Sequence, residues 1–311
     1  MLKTLKSLNI IDLTVIIFYL FLIGMNLIFC NRVEHWKVLI AIEIGVILFA
    51  VVSAVKHHNS NSLIWKHLHL WYVAPLILLT FKQLYYMVHP IHPTDYDQLL
   101  IKIDRWLFGV DPTVWIYQFA NPVLTELLQI VYNLFYLLPI ILGIELVVKK
   151  RMLEFEYAAF LVVYGFFLSY LGYFSLPAIG PRFTLHDFYA IEWELPGLLL
   201  TNALREFVNI GESIPSGTPN PEIVVQRDVF PSGHTQLTLV VMILSYRFNA
   251  KTKYFLLPAG ALLIIATVYM RYHYVIDLIA GFIFMLLTFW SGKYLYAWWN
   301  KFVGKEILDV T

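Results

Sequence analysis

Two histidines stand in settings where an imidazole does chemistry. His234 closes the run Phe230-Pro231-Ser232-Gly233-His234, and His273 lies in Arg271-Tyr272-His273-Tyr274-Val275-Ile276-Asp277. His273 and Asp277 are four apart, so at a helix start they share one face and touch. A carboxylate on one ring nitrogen fixes the tautomer and leaves the other nitrogen as nucleophile or base. The tetrapeptide ending at His234 fits the start of a helix, where unpaired N–H groups and the positive dipole end suit a phosphate. Ser232 adds a hydroxyl, and Gly233 lets the backbone approach an oxygen closely. Arg271, beside His273, and Arg182, in Gly180-Pro181-Arg182-Phe183, supply two guanidinium groups; with the helix start they describe a site for a phosphate dianion. Pro215-Ser216-Gly217-Thr218 nearly duplicates the tetrapeptide without its histidine and reads as a loop.

These residues sit at the ends of strongly apolar segments. Hydrophobic residues make up 59% of the 311-residue chain, charged residues 14%, and mean hydropathy is +0.69. A hydrocarbon core of roughly 30 Å needs about 20 apolar residues per helix. Eight runs qualify, at 10–29, 38–55, 68–87, 124–148, 157–178, 234–248, 254–270 and 274–296. The first lacks a small-residue cleavage site before Arg32 and reads as a retained helix. A net charge of +1 gives no argument for nucleic acid, and the single Cys30 excludes an intrachain disulfide. No Cys/His or carboxylate cluster has zinc-ligand spacing, so neither metal nor cofactor is expected.

If the spans alternate, one side receives Lys56, Lys66, Lys149, Lys150, Arg151, Arg247, Lys251, Lys253 and both termini, and the positive-inside rule makes it cytoplasmic. The histidine motifs then face away from the cytoplasm. On their side, 88–123 and 179–230 are long. Leu99, Ile103, Trp106 and Leu107, with acids opposite, pattern an interfacial helix, and 195–210 repeats the pattern around Leu199, Ala203, Leu204, Phe207 and Val208. Such helices cap the bundle or frame a lateral entrance for a lipid. His57, His58, His67, His69, His89 and His92 read as interfacial residues wetting a polar edge.

Arg182, then Pro231-Ser232-Gly233-His234, then His273 with Asp277 resembles the three-part signature of the type 2 phosphatidic acid phosphatase superfamily, over roughly the last six spans. The resemblance implies a metal-independent phosphohistidine mechanism: His273 as nucleophile, Asp277 orienting it, His234 as the acid protonating the leaving alcohol, and Arg182, Ser232, Gly233 and Arg271 holding phosphoryl oxygens. Two positions depart from that pattern. Ser175 stands where the family has a Lys, and Thr267 where it has an Arg, for which Arg271 is expected to substitute from the next turn. Ser232-Gly233-His234-Thr235 and His273-Tyr274 with Asp277 are also similar to sphingomyelin synthase and inositol phosphorylceramide synthase, which pass a phospho-headgroup to a lipid alcohol.

The sequence is therefore read as an all-α polytopic membrane bundle of about eight spans. Residues 1–60 would be two added helices, 61–300 a six-helix catalytic core and 301–311 a cytoplasmic tail. The first expectation for function is an integral-membrane lipid phosphate phosphatase of the cell membrane, plasma or inner, acting on a membrane lipid at the extracytoplasmic face. The alternatives are a lipid phosphotransferase, which these motifs do not separate from it, and an inactive lipid-binding or transport protein. The last would spread polar residues along the spans, whereas most charges here cluster at span ends. Glu43 and Lys82 lie at matching depth in the second and third spans and are expected to pair; otherwise the ammonium of Lys82 reaches the substrate phosphate in place of the missing Lys.

Overall fold

The computed structural model describes residues 2–308, with side chains from residue 5 onward; residues 309–311 of the expected tail lie outside the described residues. Among the described residues every regular element is a helix. The long elements are α1 (Ile10–Ile28), α2 (Trp36–Asn59), α3 (Leu63–Trp71), α4 (Val73–Tyr85), α5 (Asp97–Phe108), α6 (Pro122–Asn133), α7 (Leu137–Val148), α8 (Met152–Ser175), α9 (Thr201–Gly211), α10 (Gly233–Arg247), α11 (Lys253–Tyr269) and α12 (Val275–Val303).

Helices α1, α2, α8 and α12 are each long and apolar enough to cross a membrane, and two bent pairs, α3 with the segment from Val73 and α6 with α7, qualify as broken spans. The bends of 41° and 55° have covalent causes. Pro75 has no N–H for the carbonyl of Trp71, and Pro139 none for that of Phe135, so the helical ladder is interrupted just before each. Helices α10 and α11, of 15 and 17 residues, are shorter, about 22 and 25 Å. The chain is an integral membrane helical bundle.

Helix α10 packs on α8, α11 and α12, and α8 on α12, with α6 against α11, while α1 packs on α2 and α8. Close approach is built with small residues. A Cβ on Gly172 of α8 would lie 2.2 Å from a ring carbon of Pro231, and one on Gly281 of α12 would lie 2.6 Å from the Ser232 carbonyl. The segment 231–234 is thereby clamped between two helices.

The interfacial helix α5 is oriented oppositely to a soluble amphipathic helix. Leu99, Trp106 and Leu107 face outward, as lipid contact allows, while Asp97 and Asp104 are buried beside Leu100 and Ile101. The second expected interfacial helix starts at Thr201, later than the expected 195, because the Glu126 carboxylate accepts the N–H groups of Leu198, Leu199, Leu200 and Thr201 and so holds the helix start in place.

At the other end of the bundle the reading of His57 and His69 as wetted edges is corrected. His69 is buried; its Nε2 lies 2.9 Å from Asp12 Oδ2 and its Nδ1 2.8 Å from His57 Nδ1, while Tyr72 donates to Asp12 at 2.8 Å. His92 likewise bonds the Phe174 carbonyl and the Tyr96 hydroxyl. The expected Glu43–Lys82 pair does not form. Glu43 is buried and accepts from Asn26 Nδ2 at 2.8 Å, whereas Lys82 donates to the carbonyls of Ile210 and Gly211 and to Ser213 Oγ. The chain at the end of α9 offers Lys82 three acceptors, two carbonyls and a hydroxyl.

Candidate active site

The two motif histidines meet. His273, in the turn between α11 and α12, points its Nε2 at His234 Nδ1 across 3.5 Å. Behind it, Nδ1 faces Asp277 Oδ2 at 3.4 Å, a looser approach than a usual hydrogen bond. Asp277 is held by the Tyr274 N–H at 2.8 Å. Burial pushes His273 down to about 3 against the Val229 carbonyl, and the charge of Arg182 adds to the shift. His273 is thus a neutral imidazole with a free lone pair at physiological pH.

His234 is wedged between rings: Phe135 lies 4.1 Å and Tyr132 4.6 Å away, centroid to centroid. Tyr132 in turn stacks on Tyr272 at 4.4 Å, and the guanidinium of Arg182 covers Tyr272 at 5.0 Å. Arg182 is buried; its forks bond Asn209 Oδ1 at 3.1 Å and the carboxylate of Glu212. Ser232 caps α10, its Oγ accepting from the Thr235 N–H at 3.2 Å while its own N–H donates to the Asp277 carbonyl at 3.0 Å. That second bond ties the two motifs together. Gly233 lies under the Tyr173 hydroxyl, which a Cβ there would meet at 2.9 Å.

Arg271 does not join this group. Its backbone is left-handed, with φ of 66°, and its side chain is buried against Glu194 and over Tyr117. The left-handed backbone at Arg271 turns its side chain toward Glu194 and Tyr117 rather than toward His273. The second guanidinium in the cavity of Arg182 is Arg205, whose Nε has no partner; Pro215 to Pro219, the near-copy of the tetrapeptide, line the same cavity of about 430 Å³. Thr267 is buried and bonds its own helix, and Ser175 is exposed at the end of α8, so neither replaces the basic residue it displaces.

Sequence reasoning missed four acids. Asp104 accepts the N–H groups of Val275 and Ile276, each at 2.8 Å, and so seats the start of α12. Asp97 accepts from Ile179 and Gly180, at 3.0 and 2.8 Å, and from the Tyr274 hydroxyl at 2.8 Å, joining the Arg182 turn to the His273 turn. Glu212 and Asp228 line a cavity of about 100 Å³ with His234, Tyr132, Tyr136 and Tyr173. Burial raises both carboxyls; Arg182 and Lys82 pull Glu212 back down, whereas for Asp228 the neighbouring charge of Glu212 raises it further before Arg182 and Lys82 oppose it. The charge on Glu212 thus works against ionising Asp228, so the two acids titrate as a pair. A signal for α5 existed, since acids on an otherwise apolar interfacial helix must find donors. None existed for Glu212 and Asp228, which lie in irregular chain.

Among the described residues no group of three or more His, Cys, Asp or Glu is arranged to hold a metal ion. A family model described as the PAP2 superfamily matches residues 98–291. The chain belongs to the PAP2 superfamily. No curated protein and no solved structure matches it. The matched span contains both histidine motifs, Arg182 and three of the four acids, Asp104, Glu212 and Asp228, and begins after α1 and α2, one residue past Asp97. Membership in the PAP2 superfamily goes with phosphatase or phosphotransferase chemistry.

Proposed function

We propose that this protein is an integral-membrane lipid phosphate phosphatase working through a phosphohistidine at the extracytoplasmic face. The observation that carries the reading is the facing of His273 Nε2 and His234 Nδ1 with Asp277 behind His273 and Arg182 close enough to act on its charge. The Nε2 lone pair of His273 forms a bond to phosphorus as the ester P–O bond breaks, and His234 gives its proton to the departing alkoxide. His234 then takes a proton from water, whose oxygen attacks phosphorus, and the N–P bond breaks to release phosphate and free His273. Arg182, the α10 start at Ser232 and Gly233, and Arg205 hold the phosphoryl oxygens. Asp277 keeps the proton of His273 on Nδ1. Lys82, beside Glu212 and Asp228, is the cation that stands in for the family's missing Lys. The site would face outward because the Lys- and Arg-rich loops lie at the other end of the spans. Helices α1 and α2 would be additions to a core of residues 61–300.

The test is phosphate release from a panel of lipid phosphates by purified protein, with and without ceramide or diacylglycerol. Release without acceptor supports hydrolysis; none from any member overturns it. A specific observation favours the phosphotransferase reading as second: the ring-lined cavity with Glu212 and Asp228 beside His234 suits a cationic or hydroxyl-bearing group. Product formation only in the presence of a lipid alcohol would select it.

A further inference from the structure

A second cavity, of about 340 Å³, opens between the broken helix α3–α4 on one side and α7 and α8 on the other, and its lining is almost wholly apolar. It lies where both spans bend, so the two proline breaks that deform α3–α4 and α6–α7 also hold the space open. Tyr136 and Phe166 line this groove and also line the cavity of His234. Their rings are parallel within 8° at 6.2 Å, a partition one side chain thick between the catalytic cavity and the membrane interior. From Phe166 the groove follows α8 down to Phe155, eleven steps of helix or about 16 Å. There Trp71 packs edge-on against Phe155 at 5.4 Å, and Gly143 lies so close that a Cβ would come within 3.3 Å of both rings.

We propose that this groove seats the hydrocarbon chain of the lipid whose phosphate is bound at His273, and that Trp71 and Phe155, closing its far end, set the chain length; this rests on the reading of the site as a lipid phosphate site. Continuity decides the occupant. A tail reaching the groove from the catalytic cavity passes Tyr136 and Phe166 without leaving apolar surroundings, and only a chain tethered at the phosphate is delivered to that partition.

The test is kcat/KM over lipid phosphates of one headgroup and increasing chain length. Ala159→Phe, filling the groove midway, should lower the rate on the best long-chain substrate by about tenfold and leave a short-chain analogue unaffected. Trp71→Ala, opening the floor, should move the optimum to longer chains. Opposite shifts from the two variants are not what general damage produces; equal losses at every chain length overturn the proposal. A second measurement does not depend on turnover. On His273→Ala protein, a phosphatidate with a diazirine near its chain end should label residues around Trp71 and Gly143, and adding Arg182→Gln, which removes the headgroup's anchor, should largely abolish the label. Label that survives is bulk lipid and overturns the proposal. Anchored label without phosphate release from any substrate would sink the hydrolase reading and leave the groove standing; phosphate release with no shift in chain preference would do the reverse.

Discussion

His273 Nε2 and His234 Nδ1 stand 3.5 Å apart with nothing between them. That is close enough for a weak hydrogen bond and too close to admit a phosphorus atom with its leaving oxygen in line. The rings must part when substrate arrives. His234 is the one able to give way, since among the described residues its side chain meets aromatic rings and His273, whereas His273 is fixed by its turn and backed by Asp277.

The division of labour proposed for them predicts different failures. His273→Ala should abolish turnover, because no covalent route remains. His234→Ala should cost about 10²- to 10⁴-fold, and an ester with an activated leaving group, which departs without a proton, should restore most of the loss in that variant alone. Both rates are read on purified protein with the two substrate types. Equal recovery in the two variants would refute the assignment.

What the sequence made legible follows from range. The eight apolar runs, the His273–Asp277 spacing and the helix start at Ser232 are local patterns; each run falls in helical chain, although four helices, or six counting the bent pairs, are long and apolar enough to be spans. Arg271 failed because side-chain direction in a turn depends on φ, and a left-handed arginine is not announced by its neighbours. Glu43 and Lys82 failed because equal depth is not contact. Their partners, Asn26 and the end of α9, are set by helix rotation and by a loop remote in sequence. Asp97 and Asp104 were visible as acids on an interfacial helix, but their inward direction follows from lipid being the outer solvent.

The face of the site is checked by labelling. A cysteine placed at Ser216, in a Cys30→Ser background, should react with an impermeant thiol reagent in intact cells, because Ser216 is exposed on the rim of the Arg182 cavity. Labelling only after lysis would invert the topology.

The Arg182–Glu212 pair predicts a pH dependence. Glu212 is ionised, and holds Arg182 most firmly, above its raised pKa; as pH falls through that value, Glu212 and Asp228 take up a proton and the guanidinium is released to an oxyanion. Inhibition by tungstate, a stable dianion, should therefore strengthen as pH falls, and over a range lying above that in which an ordinary carboxyl titrates. Glu212→Gln should bind tungstate tightly throughout and flatten the profile. A profile unchanged by that substitution would detach Glu212 from the phosphate site.

Lys82 and Glu43 now separate into two experiments. Lys82 donates to the chain at 210–213 and its charge acts on Glu212 and Asp228, so Lys82→Met should raise KM several-fold while thermal stability in detergent changes little. Glu43 depends on Asn26, and Asn26→Leu leaves its buried carboxyl without that donor, costing about 1–3 kcal/mol. Glu43→Leu in the same chain should recover part of that loss, since two apolar side chains then replace a pair hydrogen-bonded to each other and to Met87. Activity of the folded fraction should be unaffected, because this pair lies in α1 and α2, outside the matched family region. If Lys82→Met instead couples energetically to Glu43→Leu in a double-mutant cycle, the two side chains interact after all and Lys82 has no place at the phosphate.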